Sequence, residues 1–408
     1  MIECKPENPA AADWDAAQPD LPPGVIVAGG SHGSLGIARS LGRRGVPVWA
    51  VAPGSPIQKA SRYVQKSWAW PDHDSSAQLD CLLGLAERHA LEGWVLFPGG
   101  DDEVELFARN HDALSRRFHL TTPEWEITRW AFDKRLTYQR CAELGIDHPW
   151  TRVIPGRDAL HVIECKFPVI LKPAYRRTRN SFTRAKAWLV RDRAELLARF
   201  DEASKLVEPG VVILQEMIPG GGGAQYSYAS LFLDGAPIAS LVARRTRQFP
   251  VDFGYTSTFV ETMDRPEIED SATRFLSSIR YSGLVEVEFK YDERDNRFKL
   301  LDVNPRVWTW HTLGRKAGID FPYLMCLQTQ GRAVPRMRAR TGVQWMLGLR
   351  DLVAAVFEIR RGRLTPNSYL RSLRPPMELG VFAVDDPLPA IAAFPEVLRR
   401  LCRERVGR

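Results

Sequence analysis

The sequence predicts a parallel α/β domain at its N-terminal end, an α+β body behind it and a basic helical region after about Gly331. Three observations carry that reading. VIVA, GGSHGSLG, IARSLGRRG and VPVWAVA follow one another from Val25 as strand, Gly-rich turn, helix closing on Gly45 and strand, which is a βαβ unit. From FPVILKPA onward, strands that read as antiparallel hairpins alternate with helices, which is the α+β style. Beyond Gly331 the chain becomes rich in arginine, with helical spacing of its apolar residues. At roughly 100 to 200 residues per domain, a chain of 408 residues holds two to four domains.

Residues 1–20 are rich in Ala, Pro and acids and lack an apolar h-region, so they read as a flexible tail, not a signal peptide or a membrane span. The α/β domain is expected over 21–122. After its first βαβ unit come a helix at Leu79–His89, a strand at Gly93–Phe97, the loop and helix PGGDDEVELFARN, and a last strand at Phe118–Thr121. Gly29 to Gly36 is spaced GGxxGxxG, not GxGxxG, and no acid ends the next strand at Val51–Pro53, which argues against NAD binding. Those glycines suit a tight turn and close helix packing, with anion contact at the helix start left open. The body is expected over 123–330. It opens with two helices, TPEWEITRWAF and DKRLTYQRCAELG, the second capped by Asp133 and Gly145, which puts Lys134 at a helix start. FPVILKPA then reads as a buried strand, AELLARFDEASKL as a helix, VVILQEMIPG as a strand, and YSYASLFLDGAPIASLVARR as a hairpin turned at Asp234-Gly235. Residues 331–408 form the expected helical basic region.

The segment with most chemical content is LVEVEFKYDERDNRFKLLDVNPR, Leu284 to Arg306. Val285, Val287 and Phe289 alternate with Glu286, Glu288 and Lys290, and after a turn at Asp295-Asn296 Leu301 and Val303 alternate with Asp302 and Asn304. If both apolar faces enter one core, Glu288 lies beside Asp302 and Asn304. Oxygen ligands without nearby His or Cys suit magnesium better than zinc. An ordinary hairpin with a solvated polar face fits the same pattern. The six cysteines show no CxxC spacing and support neither a disulfide framework nor a thiolate metal site, so a reducing cytosol is the natural compartment. A net charge of +7 suits anionic small ligands as well as nucleic acid.

Lys172 ends an apolar strand, where a lysine either snorkels to water or meets a phosphate. Arg176, Arg177, Arg179 and Arg184 follow in a polar segment, 175–186, that reads either as a lid over an anion or as a solvated basic loop. Gln215, Glu216, Met217 and Ile218 run into four glycines, a form suited to a hinge reading an adenine edge, or to a plain turn. Arg244, Arg245 and Arg247 could orient a carboxylate by bidentate hydrogen bonds, or lie on a strand end as surface charges. Trp308 and Trp310 read as core aromatics that could also wall a pocket, and His311 as structural. GVQWMLGLRDLVAAVFEIRRG carries Arg350, Asp351 and Glu358, so it reads as a packed amphipathic helix whose basic flanks leave contact with an anionic membrane as a minority reading. The basic residues lack the aromatic interleaving of a nucleic-acid reader.

Taken in order, DK at 133–134, LKP at 171–173, QEMIPG at 215–220, VEVEFK at 285–290 and LLDVNPR at 300–306 resemble the ATP-grasp superfamily, especially its carboxylate–amine ligases. The resemblance runs from Val25 to about Gly331 and includes the FPGGDDEVELFARN loop of the domain before the grasp. It implies an ATP-grasp body and ATP with Mg2+, or Mn2+, as cofactors. Lys134 and Lys172 would contact phosphates, Glu216 to Ile218, beside Gln215, would line the adenine pocket, and Glu288, Asp302 and Asn304 would hold the metal. Arg306 would bind the transferred phosphate or acyl phosphate, with Arg247, in RQFP, orienting the substrate carboxylate. The expected reaction joins a small carboxylate to an amine, by default an amino acid or peptide, in a cytoplasmic enzyme with no nucleic-acid partner and room for a homodimer. Two departures stand out: Gly220 to Gly223, Ala224 and Gln225 replace the acids that often follow the hinge, and an arginine-rich segment replaces the usual glycine-rich lid. They leave a nucleotide-binding pseudoenzyme or regulatory scaffold as the alternative.

Overall fold

The structure is a computed structural model describing residues 21–395 apart from 31, 53–55, 73, 177–179, 186, 209 and 250–255. The expected tail at 1–20, Arg177, Arg179 and the chain end from 396 lie outside the described residues.

Strands β1 (Val25–Ala28), β2 (Val48–Val51), β3 (Val64–Trp68), β4 (Trp94–Pro98) and β5 (Phe118–Leu120) form one parallel sheet in the order β3-β2-β1-β4-β5. All four residues of β1 are fully buried, as a central parallel strand covered on both faces requires. The pleat divides them: Val25 and Val27 pack with Ile37 and Leu41, whereas Ile26 and Ala28 pack with Leu82, Leu85 and Leu96. The strand order reverses between β1 and β4, so the loops leaving their C-terminal ends bound a natural crevice. Gly99 makes that junction tight: a Cβ there would lie 2.7 Å from the Ala28 carbonyl oxygen.

Strands β6 (Thr151–Val153), β7 (Val169–Pro173), β8 (Trp188–Val190) and β9 (Val212–Glu216) form an antiparallel sheet in the order β6-β9-β7-β8. The third sheet is built on β10 (Gln225–Leu233), β11 (Ala236–Phe249), β12 (Thr256–Met263), β13 (Gly283–Asp292) and β14 (Arg297–Asn304). The β10–β11 turn falls at Asp234 and Gly235 as predicted, both left-handed (φ 48° and 77°), the pairing a two-residue hairpin needs. One face of this sheet packs Val285, Val287, Phe289, Leu300 and Val303 against the helix Pro266–Ser278 through Ile268 and Phe275. The other carries Ala229, Leu231, Ala243 and Leu284 into a core shared with Val25, Val27, Trp308 and Trp310.

The C-terminal region is less purely helical than expected. The helices Gly348–Arg360 and Pro366–Ser372 are there, but β15 (Met337–Arg338), β16 (Gln344–Met346) and β17 (Met377–Leu379) also join the third sheet, completing the order β14-β13-β10-β11-β12-β16-β17 with β15 beside β11. Strands of two or three residues are too short for alternation to show, and Trp345, fully buried, supplies the packing instead. Beyond β17 the chain returns to the N-terminal sheet. There the buried Asp386 accepts from Arg39 Nε (2.9 Å), Ser61 Oγ (2.7 Å) and the Arg62 N–H (2.9 Å).

Candidate active site

In the β13–β14 hairpin Glu288 pairs with Asp302 and Glu286 with Asn304, so the four polar side chains share a face as the pleat predicts. The Asn304 amide donates to Glu288 Oε1 (3.0 Å) and Glu286 Oε2 (3.2 Å), tying the carboxylates together. Cations close the array: Lys134 Nζ lies 2.7 Å from Asp302 Oδ1 and Arg245 Nη1 lies 2.6 Å from Glu288 Oε2. Lys134 arrives there because Asp133 caps its helix, accepting from the Arg135 N–H (2.9 Å), while Gly145 ends it in the left-handed region. One turn on, Tyr138 donates to the Leu301 carbonyl (2.7 Å) and accepts from Lys172 Nζ (2.9 Å), which fixes the lysine of β7 beside the hairpin.

Lys134, Arg245, Glu286, Glu288, Asp302 and Asn304 line a cleft together with Asp101, Tyr175, Arg176, Arg306 and Trp310, while Lys172 and Tyr138 are not among its lining residues. Arg306 Nε donates to Asp101 Oδ1 (2.6 Å), so the third sheet is bridged to the start of the helix Asp101–Arg109 at the crevice beyond β4. The site is electrically tense. Burial, helped by nearby Lys134, pushes the Lys172 ammonium down to about 7. Burial and then the Glu288 charge raise the Glu286 carboxyl. Burial opposes ionisation of Asp101 as well, but the Arg306 guanidinium outweighs it and its carboxyl titrates below the usual range. Four cations that line the cleft, Lys134, Arg176, Arg245 and Arg306, with Lys172 close by, can hold a polyanion over the carboxylate floor together with a hard cation.

The donor set fits such a cation: Glu288 and Asp302 offer carboxylate oxygens, Asn304 offers its amide oxygen once that oxygen leaves Arg306 Nη2 (3.4 Å), and a magnesium ion that keeps waters needs few protein ligands. Among the described residues there is no cluster of three His, Cys, Asp or Glu suited to a metal, so the amide oxygen of Asn304 matters to any such site.

The hinge residues split. Gln215 is buried, its amide donating to Thr151 Oγ1 (2.8 Å). The Glu216 carboxylate accepts from the Trp150 N–H (3.0 Å), Arg294 Nη2 (2.7 Å) and Lys299 Nζ (3.1 Å), so its side chain anchors β9 to β6 and the hairpin. Met217 is half-buried, and the carbonyl of buried Ile218 accepts from Lys290 Nζ (2.8 Å).

Arg247 lies elsewhere than expected. Its guanidinium pairs bidentately with the fully buried Asp351 (Nε–Oδ1 and Nη2–Oδ2 both 2.8 Å), donates to Ser372 Oγ (3.0 Å) and covers the Phe259 ring at 3.9 Å. The cause is a bulge. Arg245 pairs with Val260 and Arg247 with Phe259, leaving Thr246 as the extra residue, so the two arginines leave opposite faces of β11. Arg245 takes the place in the cleft; Arg244 reaches the Gly223 carbonyl at 2.8 Å. Thr309 and Trp310 line the cleft while Trp308 packs in the core, and His311 is buried with Nε2 on the Gly33 carbonyl at 3.0 Å.

Sequence reasoning also passed over Asp101, Glu286 and Tyr138. Tyr138 had a signal, four residues after Lys134 on the same helical face, and Asp101 had one in following a Gly-Gly turn at a strand end. Arg245 was one of three candidate arginines, with Arg244 and Arg247, but nothing in ARRTRQF marks Thr246 as the bulge that turns Arg245 and not Arg247 into the cleft.

Residues 223–349 match a family described as ATP-grasp in the biosynthetic pathway with Ter operon. Over 246 residues the chain is 26% identical to the D-aspartate ligase of Enterococcus faecium (strain Aus0004), an alignment covering 56% of this chain and 57% of that ligase. The chain thus spans little more than half the length of this curated relative. The L-amino acid ligase of Bacillus licheniformis superposes with a TM-score of 0.59 at 14% identity over 76% of this chain and 75% of its own. The biotin carboxylase domain of Hydrogenobacter thermophilus 2-oxoglutarate carboxylase, solved with MgADP and bicarbonate, reaches 0.64 at 15% identity over 80% and 74%. The chain therefore has the ATP-grasp fold, and it resembles the carboxylate–amine ligases of that superfamily.

Proposed function

We propose that the chain is an ATP- and magnesium-dependent ligase that joins a small carboxylate to an amine through an acyl phosphate, releasing ADP and phosphate. The observation that carries this reading is the Glu288, Asp302 and Asn304 array ringed by Lys134, Lys172, Arg245 and Arg306. An amino acid or peptide is the substrate class best supported, since the relative matched in sequence is a D-aspartate ligase.

In this reading Glu288, Asp302 and Asn304 hold Mg2+, which when bound supplies charge neutralisation at the terminal phosphates. Lys134 and Lys172 hold the phosphates in line, and the backbone of segment 215–218 lines the adenine pocket, since the Gln215 and Glu216 side chains are engaged with Thr151, Trp150, Arg294 and Lys299. A substrate carboxylate oxygen attacks the terminal phosphorus, and the bond from phosphorus to the ADP oxygen breaks. The amine nitrogen then attacks the acyl carbon, expels phosphate and loses a proton, forming the amide. Arg306 and Arg245 balance the charge on the acyl phosphate, and the Arg176 side of the cleft limits water that would hydrolyse it. The cytoplasm, where ATP is abundant, is the compartment this chemistry favours.

The test is ADP release from purified protein given pooled amino acids and Mg-ATP, with the product identified by mass spectrometry. Glu288→Gln is expected to lower turnover by roughly two orders of magnitude, the scale of losing one group that stabilises transition-state charge. ATP binding without turnover for any acceptor would favour the scaffold reading, and undiminished turnover in the variant would remove the assigned metal role.

A further inference from the structure

The helix Gly348–Arg360 is pinned by one face and open on the other. Arg350, Asp351, Ala354 and Ala355 are buried against β11 and β12, and the Arg247–Asp351 pair fixes the helix's roll. Half a turn away, Leu349, Leu352 and Val356 expose 39%, 47% and 39% of their surface, and Arg360 continues the same stripe at helical spacing. Exposed Arg361 and Arg363 follow, and the next helix presents Leu370, 66% exposed, with exposed Arg371 and Arg374. Of the six arginines in residues 348–374, Arg350 is buried and Arg363 pairs with Glu358, which leaves Arg360, Arg361, Arg371 and Arg374 exposed with no exposed acid in the segment outside that pair.

We infer that this surface docks the protein on an anionic lipid bilayer, the apolar stripe entering the headgroup boundary and the arginines meeting lipid phosphates. Charge selects this occupant. A two-fold contact with a second copy would set the same basic patch against itself, which repels. A nucleic-acid backbone would answer the arginines but leave the apolar stripe uncovered. An anionic bilayer answers both, and the helix lies in the interface plane instead of crossing it. No helix among the described residues is long and apolar enough to span a membrane.

The experiment is co-sedimentation of the full chain with vesicles of one part phosphatidylglycerol to two parts phosphatidylcholine, and with phosphatidylcholine alone. Binding is expected on the anionic vesicles only, and is expected to fall at ~0.5 M salt, where screening shortens the reach of each charge. Arg360→Glu with Arg361→Glu is expected to weaken it at least about thirtyfold, the factor for two lost arginine contacts at the surface. Leu352→Asp with Val356→Asp is expected to weaken it about tenfold while the chain stays folded by circular dichroism, since 47% and 39% of these side chains are exposed. Equal binding to neutral vesicles, no binding to either, or indifference to both double variants would overturn the inference. So would a dimer in sedimentation equilibrium that Leu352→Asp dissociates, or nucleic-acid binding that only the arginine changes abolish.

Discussion

At the scale of single residues, Lys172 shows most directly how the fold tunes the site. It is 7% exposed, its hydrogen bond goes to a tyrosine hydroxyl, and burial with the Lys134 charge brings its ammonium to about 7. A folded value below the unfolded one near 10.5 means the unfolded chain holds more protons between those limits, so this group's contribution to stability rises with pH from about 7 to about 10.5 and is lost on descending through 7. A polyphosphate reverses the preference by favouring the charged amine. Binding of Mg-ADP at pH 8 is therefore expected to take up protons, read as a dependence of the calorimetric enthalpy on buffer ionisation enthalpy, and Lys172→Met should abolish the uptake. Arg247 makes the opposite kind of prediction. Arg247→Met leaves Asp351 buried without a counter-charge, which costs about 3–5 kcal/mol in urea unfolding, while ADP affinity of the folded protein stays as it was. Adding Asp351→Leu should return most of that stability.

Between elements, what could be read from the chain depended on whether the structure kept a simple period. The β13–β14 hairpin keeps the pleat from Glu286 to Glu288, so the convergence of Glu288, Asp302 and Asn304 was legible from alternation alone. Caps at Asp133 and Gly145 placed Lys134 for the same local reason. In β11 the period breaks at Thr246, and the bulge puts Arg245 and Arg247 on opposite faces, so the arginine that the RQFP resemblance singled out lies away from the cleft that Arg245 faces. Asp101 and Arg306 are 205 residues apart, and only the crossing of two sheets brings them to 2.6 Å. The crevice that positions Asp101 depends on β1 and β4 lying close. Gly99→Ala would set a Cβ 2.7 Å from the Ala28 carbonyl oxygen, against backbone that cannot swing away. It is expected to cost about 1–3 kcal/mol and to weaken the proposed ligation beyond the loss of folded protein, since Asp101 moves with the loop. Equilibrium denaturation with activity measured per folded molecule separates the two effects.

Across the whole molecule, the return of the chain to its N-terminal sheet makes the C-terminal region part of the same body. Asp386, 1% exposed, accepts three hydrogen bonds from Arg39, Ser61 and Arg62, and Arg39 also donates to the Val381 and Asp386 carbonyls. Beside it Asp385 accepts two hydrogen bonds from Arg43 (2.7 and 2.8 Å) and one from Tyr63 (2.6 Å), and its carboxyl titrates well below the usual range, chiefly through that Arg43 pair. The exposed Asp385 contacts are worth little singly, whereas the Asp386 pair is buried and loses its compensation if one partner goes. Asp386→Ala would leave the Arg39 guanidinium, 5% exposed, without its carboxylate, a loss of about 3–5 kcal/mol. Because β16 and β17 follow β12 in the third sheet, the cost should fall first on the segment that closes the loop from β17 to Asp386. Amide exchange is expected to quicken across 377–391 while β10, β11 and β13, which carry the cleft, keep their protection. Uniform quickening would show instead that the clasp holds the two sheets together.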